Sequence, residues 1–435
     1  MRAKREELCR FAGNLPAIRR LRAQWEKLWC FLRSLPAARC LRAALFIWIV
    51  YAGIIATIVA VNPSGRSATL EYQRATDNWW GEKTLYRKKN GYLYLPQFAV
   101  FYTPYELLPD RVGEPLWRLT CLASLAWALW AAASHLAPDK RETVFLVATV
   151  LVLPSTFASA RNGQVNMPLA ALFLLTALAL ARERWWWAAV FLALTLVFKP
   201  IALAPILLCG VLYPKLRLPL LAALVVTAIA PLAHPNPAYA FGEYGAFMHN
   251  LQQAGKPTGK SWCDFAGMFR VFGLNLPSAV QLAVRALAGA LTLGLCWRVA
   301  RGADAVRSAF TVLFLSTIYL MLFNPRTETN SYVMLGAFVA VWAAVEGIVF
   351  RRPGLAAWLT ALAVILGSEN YGWPVFPFTN LWAKALVTSA LGIWLATRIF
   401  LTIPARRIMR LLRGKEFRTA FREFLAPPDR PVLMA

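Results

Sequence analysis

The chain is poor in histidine, in acid, and in cysteine at any useful spacing. Three histidines are scattered through 435 residues. A zinc site draws three or four nitrogen or sulfur ligands together, so no metal centre is expected. Seven cysteines show no metal-ligand spacing. On the topology below only Cys263 falls in an outer loop and Cys121 lies within a span, which argues against a disulfide framework. Asp and Glu number 21 against 47 Lys and Arg, a formal net charge of +26. Such an excess would suit nucleic acid, but no recognition module accompanies it and most of it lies in two tails and in short loops. No nucleic-acid partner is expected. Duplicated halves are missing too, and the mid-membrane stretches hold few charges. Both weigh against the competing class, a polytopic transporter or lipid flippase.

What the sequence has in abundance is apolar length. Hydrophobic residues make up 59% and the mean hydropathy is +0.49, where a soluble domain rarely exceeds half. Runs such as Ala43 to Val61, Ala279 to Val299 and Tyr332 to Phe350 each approach the ~20 residues a helix needs to cross a bilayer. The first lies too deep, behind too basic a segment, to be a cleaved signal peptide. The expected fold is an all-α, polytopic transmembrane helical bundle of about 12 spans. These fall at 43–62, 117–136, 144–160, 167–182, 186–199, 201–213, 218–234, 279–299, 307–323, 332–350, 355–368 and 382–403. The pair around Lys199-Pro200 also reads as one broken helix.

Charge supports that order. With both termini cytoplasmic, thirty Lys and Arg fall in inner loops and tails and thirteen in outer segments, as the positive-inside rule requires. Three regions follow: a basic tail over 1–42, a membrane domain over 43–403 and a second basic tail over 404–435. In the first tail, Leu15-Pro16-Ala17 with Arg19, Leu21, Arg22 and Ala23 recurs as Leu35-Pro36-Ala37 with Arg39, Leu41, Arg42 and Ala43. Each copy reads as a short basic amphipathic helix lying on headgroups. Residues 93–109 are apolar enough to enter the membrane, but counting them as a span would invert every later loop. They read instead as a re-entrant or interfacial helix.

Polar residues converge on the outer face. The long first loop, 63–116, carries Glu71, Asp77 and Glu82 among Tyr72, Trp79, Trp80 and Tyr86. Arg161-Asn162-Gly163-Gln164-Val165-Asn166 sits between two spans, as does Asn324-Pro325-Arg326-Thr327-Glu328-Thr329-Asn330-Ser331-Tyr332. Lys199 and Glu369-Asn370 face the same side. Taken singly, each has an ordinary explanation: a solvated loop acid, a helix cap, an interfacial aromatic belt, a surface pair between Arg326 and Glu328, or an ion pair of Glu82 with Lys83, Arg87 and Lys88. Together they mark a site, because ionisable groups near membrane depth are costly.

The pattern Glu71-Tyr72-x-x-Ala75, Gly81, Tyr86, Tyr94-Leu95-Pro96 and Leu107-Leu108-Pro109 resembles the first outer loop of glycosyltransferase family 87. Arg161 to Asn166 resembles that family's short motif, and Asn324 to Tyr332 occupies the place of its later loop. The resemblance covers about residues 43 to 400. It implies a GT-C type fold and inverting transfer, possibly mannosyl, from a polyprenyl-phosphate-linked sugar to a lipid or glycan acceptor at the outer face of the cell membrane, with no cofactor. A carboxylate would take the acceptor proton, and Arg or Lys would meet the leaving phosphate. Glu71 and Asp77 are the candidate bases, ahead of Glu82 and Glu328. Arg326, Lys199 and Arg161 are candidate phosphate ligands; Asn162, Gln164, Asn166 and Asn330 would read sugar hydroxyls. Mannosyltransferases of the family typically carry an Asp just before a Val-Tyr of this loop, where this chain has Glu71 beside Tyr72. Some place His in the later loop, where this chain has Asn330 and Ser331.

The topology yields a labelling test. In a background lacking native cysteines, a cysteine at position 88 or 258 reacts with an impermeant maleimide applied from outside, and one at 140 or 352 does not. Inside-only labelling at 88 would reverse the orientation.

Overall fold

The computed structural model describes residues 16–402 except 64, 66, 87–90, 255–261 and 380. The second tail beyond residue 402, with Arg406, Arg407, Arg410 and Arg413, lies outside the described residues, as do Leu15, Arg87 and Lys88. Eighteen α-helices follow one another among the described residues, with no strand. They are α1 (Pro16–Ser34), α2 (Ala37–Val61), α3 (Thr69–Trp80), α4 (Pro96–Glu106), α5 (Asp110–Leu136), α6 (Arg141–Asn162), α7 (Asn166–Ala181), α8 (Trp185–Phe198) and α9 (Leu203–Leu212). The rest are α10 (Arg217–Ile229), α11 (Pro237–Ala254), α12 (Phe265–Arg270), α13 (Ser278–Gly302), α14 (Ala305–Phe323), α15 (Val333–Ile348), α16 (Pro353–Leu366), α17 (Phe376–Thr379) and α18 (Ala383–Thr402). Eight helical stretches, containing α2, α5, α6, α10, α13, α14, α15 and α18, are long and apolar enough to cross a membrane. The chain is an all-α polytopic membrane protein.

Cross-links between helix ends sort them into two layers. At the basic end Arg182 donates to His135 (3.3 Å), Lys140 reaches the Arg33 carbonyl (3.4 Å) and the hydroxyls of Tyr213 and Ser308 lie 2.9 Å apart. At the opposite, loop-rich end Ala68 N–H donates to Asn162 (2.8 Å) and Cys263 N–H to Thr327 (2.7 Å). Leu85 N–H donates to Glu243 there (2.9 Å).

Both copies of the duplicated motif begin a helix with proline, whose fixed φ and missing N–H suit a first turn. The second copy, however, is not a separate surface helix. It forms the first turns of α2, because neither proline nor glycine interrupts the chain between Ala37 and Ala52. The span therefore starts at 37 rather than 43.

At Lys199-Pro200 the structure has the two separate helices of the span order. The segment is a hairpin rather than one broken helix: Trp185 at the start of α8 packs on Tyr213 just beyond α9 (6.2 Å), so the chain returns to the end it left. Lys199 is extended (φ −156°, ψ 132°) and marks the turn. Fourteen and ten residues reach only about 21 and 15 Å at 1.5 Å each. The turn reaches the loop-rich end, where Lys199 meets Asn166 at the start of α7.

α7 and α15 are apolar on every face and buried on nearly every face, which makes them the core of the bundle. Lipid tails give apolar helices no reason to associate, so close packing across small residues does the work. A Cβ on Gly336 would stand 2.7 Å from Ser155 Oγ, and one on Gly367 2.5 Å from Pro154. Tyr72 of α3 makes edge-on aromatic contacts with Phe98 (4.8 Å) and Tyr102 (5.5 Å) of α4 and with Trp117 (6.4 Å) of α5. At eleven residues, α4 cannot span the bilayer. Its buried Gln97 donates to the Thr227 carbonyl (2.8 Å) and to Tyr244 (2.6 Å), as a re-entrant or interfacial helix must.

Trp79 is buried between His234 and Tyr239, whereas Trp80 is half-exposed with its indole N–H on Thr103 (2.9 Å). Only Trp80 suits an aromatic belt. Glu82 accepts a hydrogen bond from Asn236 (2.8 Å) across to the start of α11, so an amide there answers the carboxylate.

At the basic end Trp29 of α1 is buried where a Cβ on Gly347 would come within 2.3 Å of its ring. Gly347→Leu expels Trp29 at a cost of about 1–3 kcal/mol of overpacking. Faster tryptic cleavage within α1, read as loss of an N-terminal tag, is the expected outcome. Unchanged protection would show that α1 is held by other contacts.

Candidate functional site

The sequence 161–166 turns sharply because α6 ends on Gly163 in the left-handed region (φ 65°). A Cβ there would lie 2.6 Å from Thr69 and 2.9 Å from the Arg118 guanidinium, so glycine is required twice over. Trp117 donates to the Gly163 carbonyl (2.7 Å). Arg118, fully buried and paired with Glu114, donates to Ser67 (2.8 Å) and to the Arg161 carbonyl (3.4 Å). Arg161 and Asn162 thus fasten this turn and the first loop through their backbone carbonyls.

Past the turn, the side chains point into a shared network. Asn166, buried at the start of α7, donates to Gln164 Oε1 (2.7 Å), to Ser159 (3.2 Å) and to Asn330 Oδ1 (3.3 Å). Its own Oδ1 accepts from Lys199 Nζ at the hairpin apex (2.7 Å). Gln164 Nε2 in turn donates to Glu328 Oε2 (3.0 Å). The Glu328 charge acts on Lys199, Arg326 and Tyr94 alike. Burial pushes the Tyr94 hydroxyl up from its ordinary pKa; its bond to Tyr72 (2.8 Å) opposes that shift and Glu328 adds to it. One carboxylate, two cations, three amides and a tyrosine therefore share one place, delivered by four separate stretches.

The loop that carries Glu328 is braced from three sides. Cys263 N–H donates to the Thr327 carbonyl, and Tyr332 returns a bond to the Cys263 carbonyl (2.8 Å). Arg326 lies over the Trp262 ring (5.5 Å). Lys384, fully buried at the start of α18, donates to the Thr329 carbonyl (2.9 Å) and pairs with buried Glu369. Beside it Asn370 donates to the Pro154 carbonyl (2.6 Å), two turns down α6.

The first-loop acids stand apart from this network. Glu71 pairs with Arg74 one turn on (2.6 Å), both side chains partly exposed. Asp77 is exposed and belongs to an acidic patch with Glu106, Asp110 and Glu114. There burial first, and then these neighbours, raise the Glu106 carboxyl to about 7. Of the residues singled out in the sequence, the network joins Gln164, Asn166, Lys199, Glu328 and Asn330, with Arg326 at its rim. Among the described residues no group of His, Cys, Asp and Glu is placed to hold a metal ion.

Sequence reasoning passed over Arg118 and Lys384, each a lone cation inside an apolar run. That was the available signal, since a charge in a membrane helix needs a partner and a purpose.

Breaking a buried pair on one side costs about 3–5 kcal/mol, because it strands the other charge. Lys384→Met should therefore lower Tm sharply, and Lys384→Met with Glu369→Leu should regain most of that loss. The double variant still leaves the Thr329 carbonyl unheld, so its activity stays low after its stability returns. Recovery of both together would make the pair purely structural.

The sequence model for glycosyltransferase family 87 matches residues 92–325, more than half of the chain. The match takes in Tyr94, Arg118, Gln164, Asn166 and Lys199. It begins after Glu71 and Asp77 and ends just before Arg326 and Glu328. No curated protein matches the chain. With a matched region that contains most of the network described above, the chain belongs to glycosyltransferase family 87 and is a membrane glycosyltransferase.

Proposed function

We propose that the chain transfers a hexosyl group, with mannosyl as the candidate sugar, from a polyprenyl-phosphate-linked donor to a hydroxyl of a lipid or glycan acceptor, with inversion at the anomeric carbon. The reaction takes place at the outer face of the cell membrane, both termini being cytoplasmic. The observation that carries this reading is Glu328 held by Gln164 within reach of the charges of Lys199 and Arg326. A hydroxyl is a weak nucleophile until a carboxylate accepts its proton. Glu328 fills that role as the acceptor oxygen attacks the anomeric carbon. The bond from that carbon to the phosphate oxygen breaks, and the electron pair leaves with the lipid phosphate. Lys199 and Arg326 meet its growing charge. Asn166 and Asn330, with Gln164, bind sugar hydroxyls. Arg161 and Asn162 lie at the edge of the same turn and complete the substrate-binding set.

Glu71 and Asp77 are second choices for the base. Glu71 is engaged by Arg74 and Asp77 faces solvent, whereas Glu328 is the carboxylate that the amides orient.

Glu328→Gln keeps the size and one hydrogen-bonding oxygen but cannot accept a proton. In folded protein offered polyprenyl-phosphate sugars, turnover should fall by ~10² to 10⁴, while Glu71→Gln and Asp77→Asn stay within a few-fold of wild type. A dead Glu71→Gln beside an active Glu328→Gln would return the base to the first loop.

A further inference from the structure

Outside the network, one crevice carries charge to which the scheme above gives no task. It lies between α12, α13 and α14 and is lined by Asp264, Phe265, Gln281, Val284, Arg285 and Phe323. The crevice is small: its volume of about 10 Å³ is room for one water-sized group. α13 stands at the edge of the bundle, with Leu282 and Leu287 68% and 73% exposed. In a membrane protein those faces meet lipid tails.

Arg285 lies seven residues into α13, roughly 10 Å down at 1.5 Å per residue. Helical side chains lean toward the N-terminus, and long cations extend their heads toward the interface. The guanidinium is thus turned back up into the crevice. Its carboxylate neighbour is already engaged. Asp264 Oδ1 accepts from Gly267 N–H (2.7 Å) and from Arg270 (2.9 Å), and Oδ2 is 3.9 Å from Arg285. Two guanidiniums against one carboxylate leave one positive charge at a lipid-facing edge, where an unanswered cation is costly. The crevice also joins the site: Phe323 runs into the loop bearing Glu328, and Trp262-Cys263 support Arg326 and Thr327.

We infer that this crevice docks the phosphate of a polyprenyl phosphate entering or leaving sideways, with Arg285 as its main ligand and the isoprenoid chain along the exposed face of α13. This rests on the lipid-phosphate donor of the proposed function. The water-sized space admits one terminal phosphate oxygen beside Arg285. A bulk phospholipid, esterified on both sides, offers two non-bridging oxygens and a single charge, where the monoester offers three oxygens and up to two charges.

Binding of unglycosylated polyprenyl phosphate, polyprenol and phosphatidylglycerol to the purified full chain, followed by native mass spectrometry, tests the site without requiring turnover. Wild type should prefer polyprenyl phosphate. Arg285→Leu and the crevice-filling Val284→Trp should each weaken it about tenfold, the loss of one charge-assisted contact, and leave polyprenol binding unchanged. Val284 faces the crevice rather than the core, so it provides a second reading if Arg285→Leu fails to fold. Polyprenyl phosphate binding unaffected in either folded variant, or phosphatidylglycerol binding equally well at Arg285, would overturn the assignment. Phosphate binding that depends on Arg285 in a protein inactive with every polyprenyl-phosphate sugar would instead sink only the proposed reaction.

Discussion

An ammonium carried partway into a membrane must be answered by protein, and here Asn166 answers it. The Lys199–Asn166 contact joins the apex of a hairpin of two short helices to the first turn of a helix buried at the centre of the bundle. Everything else at the site is ordered around that contact. Asn166 has one amide to share, and it divides its donors among Gln164, Ser159 and Asn330 while its oxygen holds the lysine. The result is a chain of polar groups in a low-dielectric setting, where satisfied networks are rigid and each missing partner is expensive. In the proposed reaction that rigidity serves to aim a carboxylate and two cations at one anomeric carbon.

Two buried ion pairs keep the loops from drifting. Arg118 with Glu114 and Lys384 with Glu369 add little net stability on their own, since desolvation offsets most of their attraction. Their effect lies in what the cations do with their remaining donors. Arg118 holds Ser67 and the Arg161 carbonyl, and Lys384 holds the Thr329 carbonyl. One fixes the turn before Asn166 and the other the turn around Asn330. The two halves of the site are therefore positioned by salt bridges that touch none of its catalytic atoms.

The sequence conveyed much of this, and the limits have physical reasons. Hydropathy gives an all-α bundle of apolar helices because a bilayer imposes a length on each span. The meeting of 161–166, 199 and 324–332 was legible as polar residues at one end of successive spans. The facing of α3 was not read, although its phase was available. Tyr72, Ala75, Thr76 and Trp79 form its buried stripe, and at 100° per residue Glu71 and Asp77 fall outside it. The reversal at Lys199 was legible in the basic residues on either side of the pair, Arg182 and Arg184 before it and Lys215 and Arg217 after it, although proline after a short apolar run fits a kink as well. Glu82 was read by its sequence neighbours, whereas its partner Asn236 lies in another loop.

The short hairpin also bears on how the chain enters the membrane. Neither α8 nor α9 is long enough to insert alone, and a lysine near the middle of an inserting segment is disfavoured by about 2.5–3.5 kcal/mol. The pair has to wait at the interface until a polar partner is already inside. α7 precedes it in synthesis and brings Asn166 with it, so the acceptor for Lys199 is in place before the lysine emerges. Chain order thus does part of the work of assembly: the segment that could not cross by itself follows the helix that makes its burial affordable.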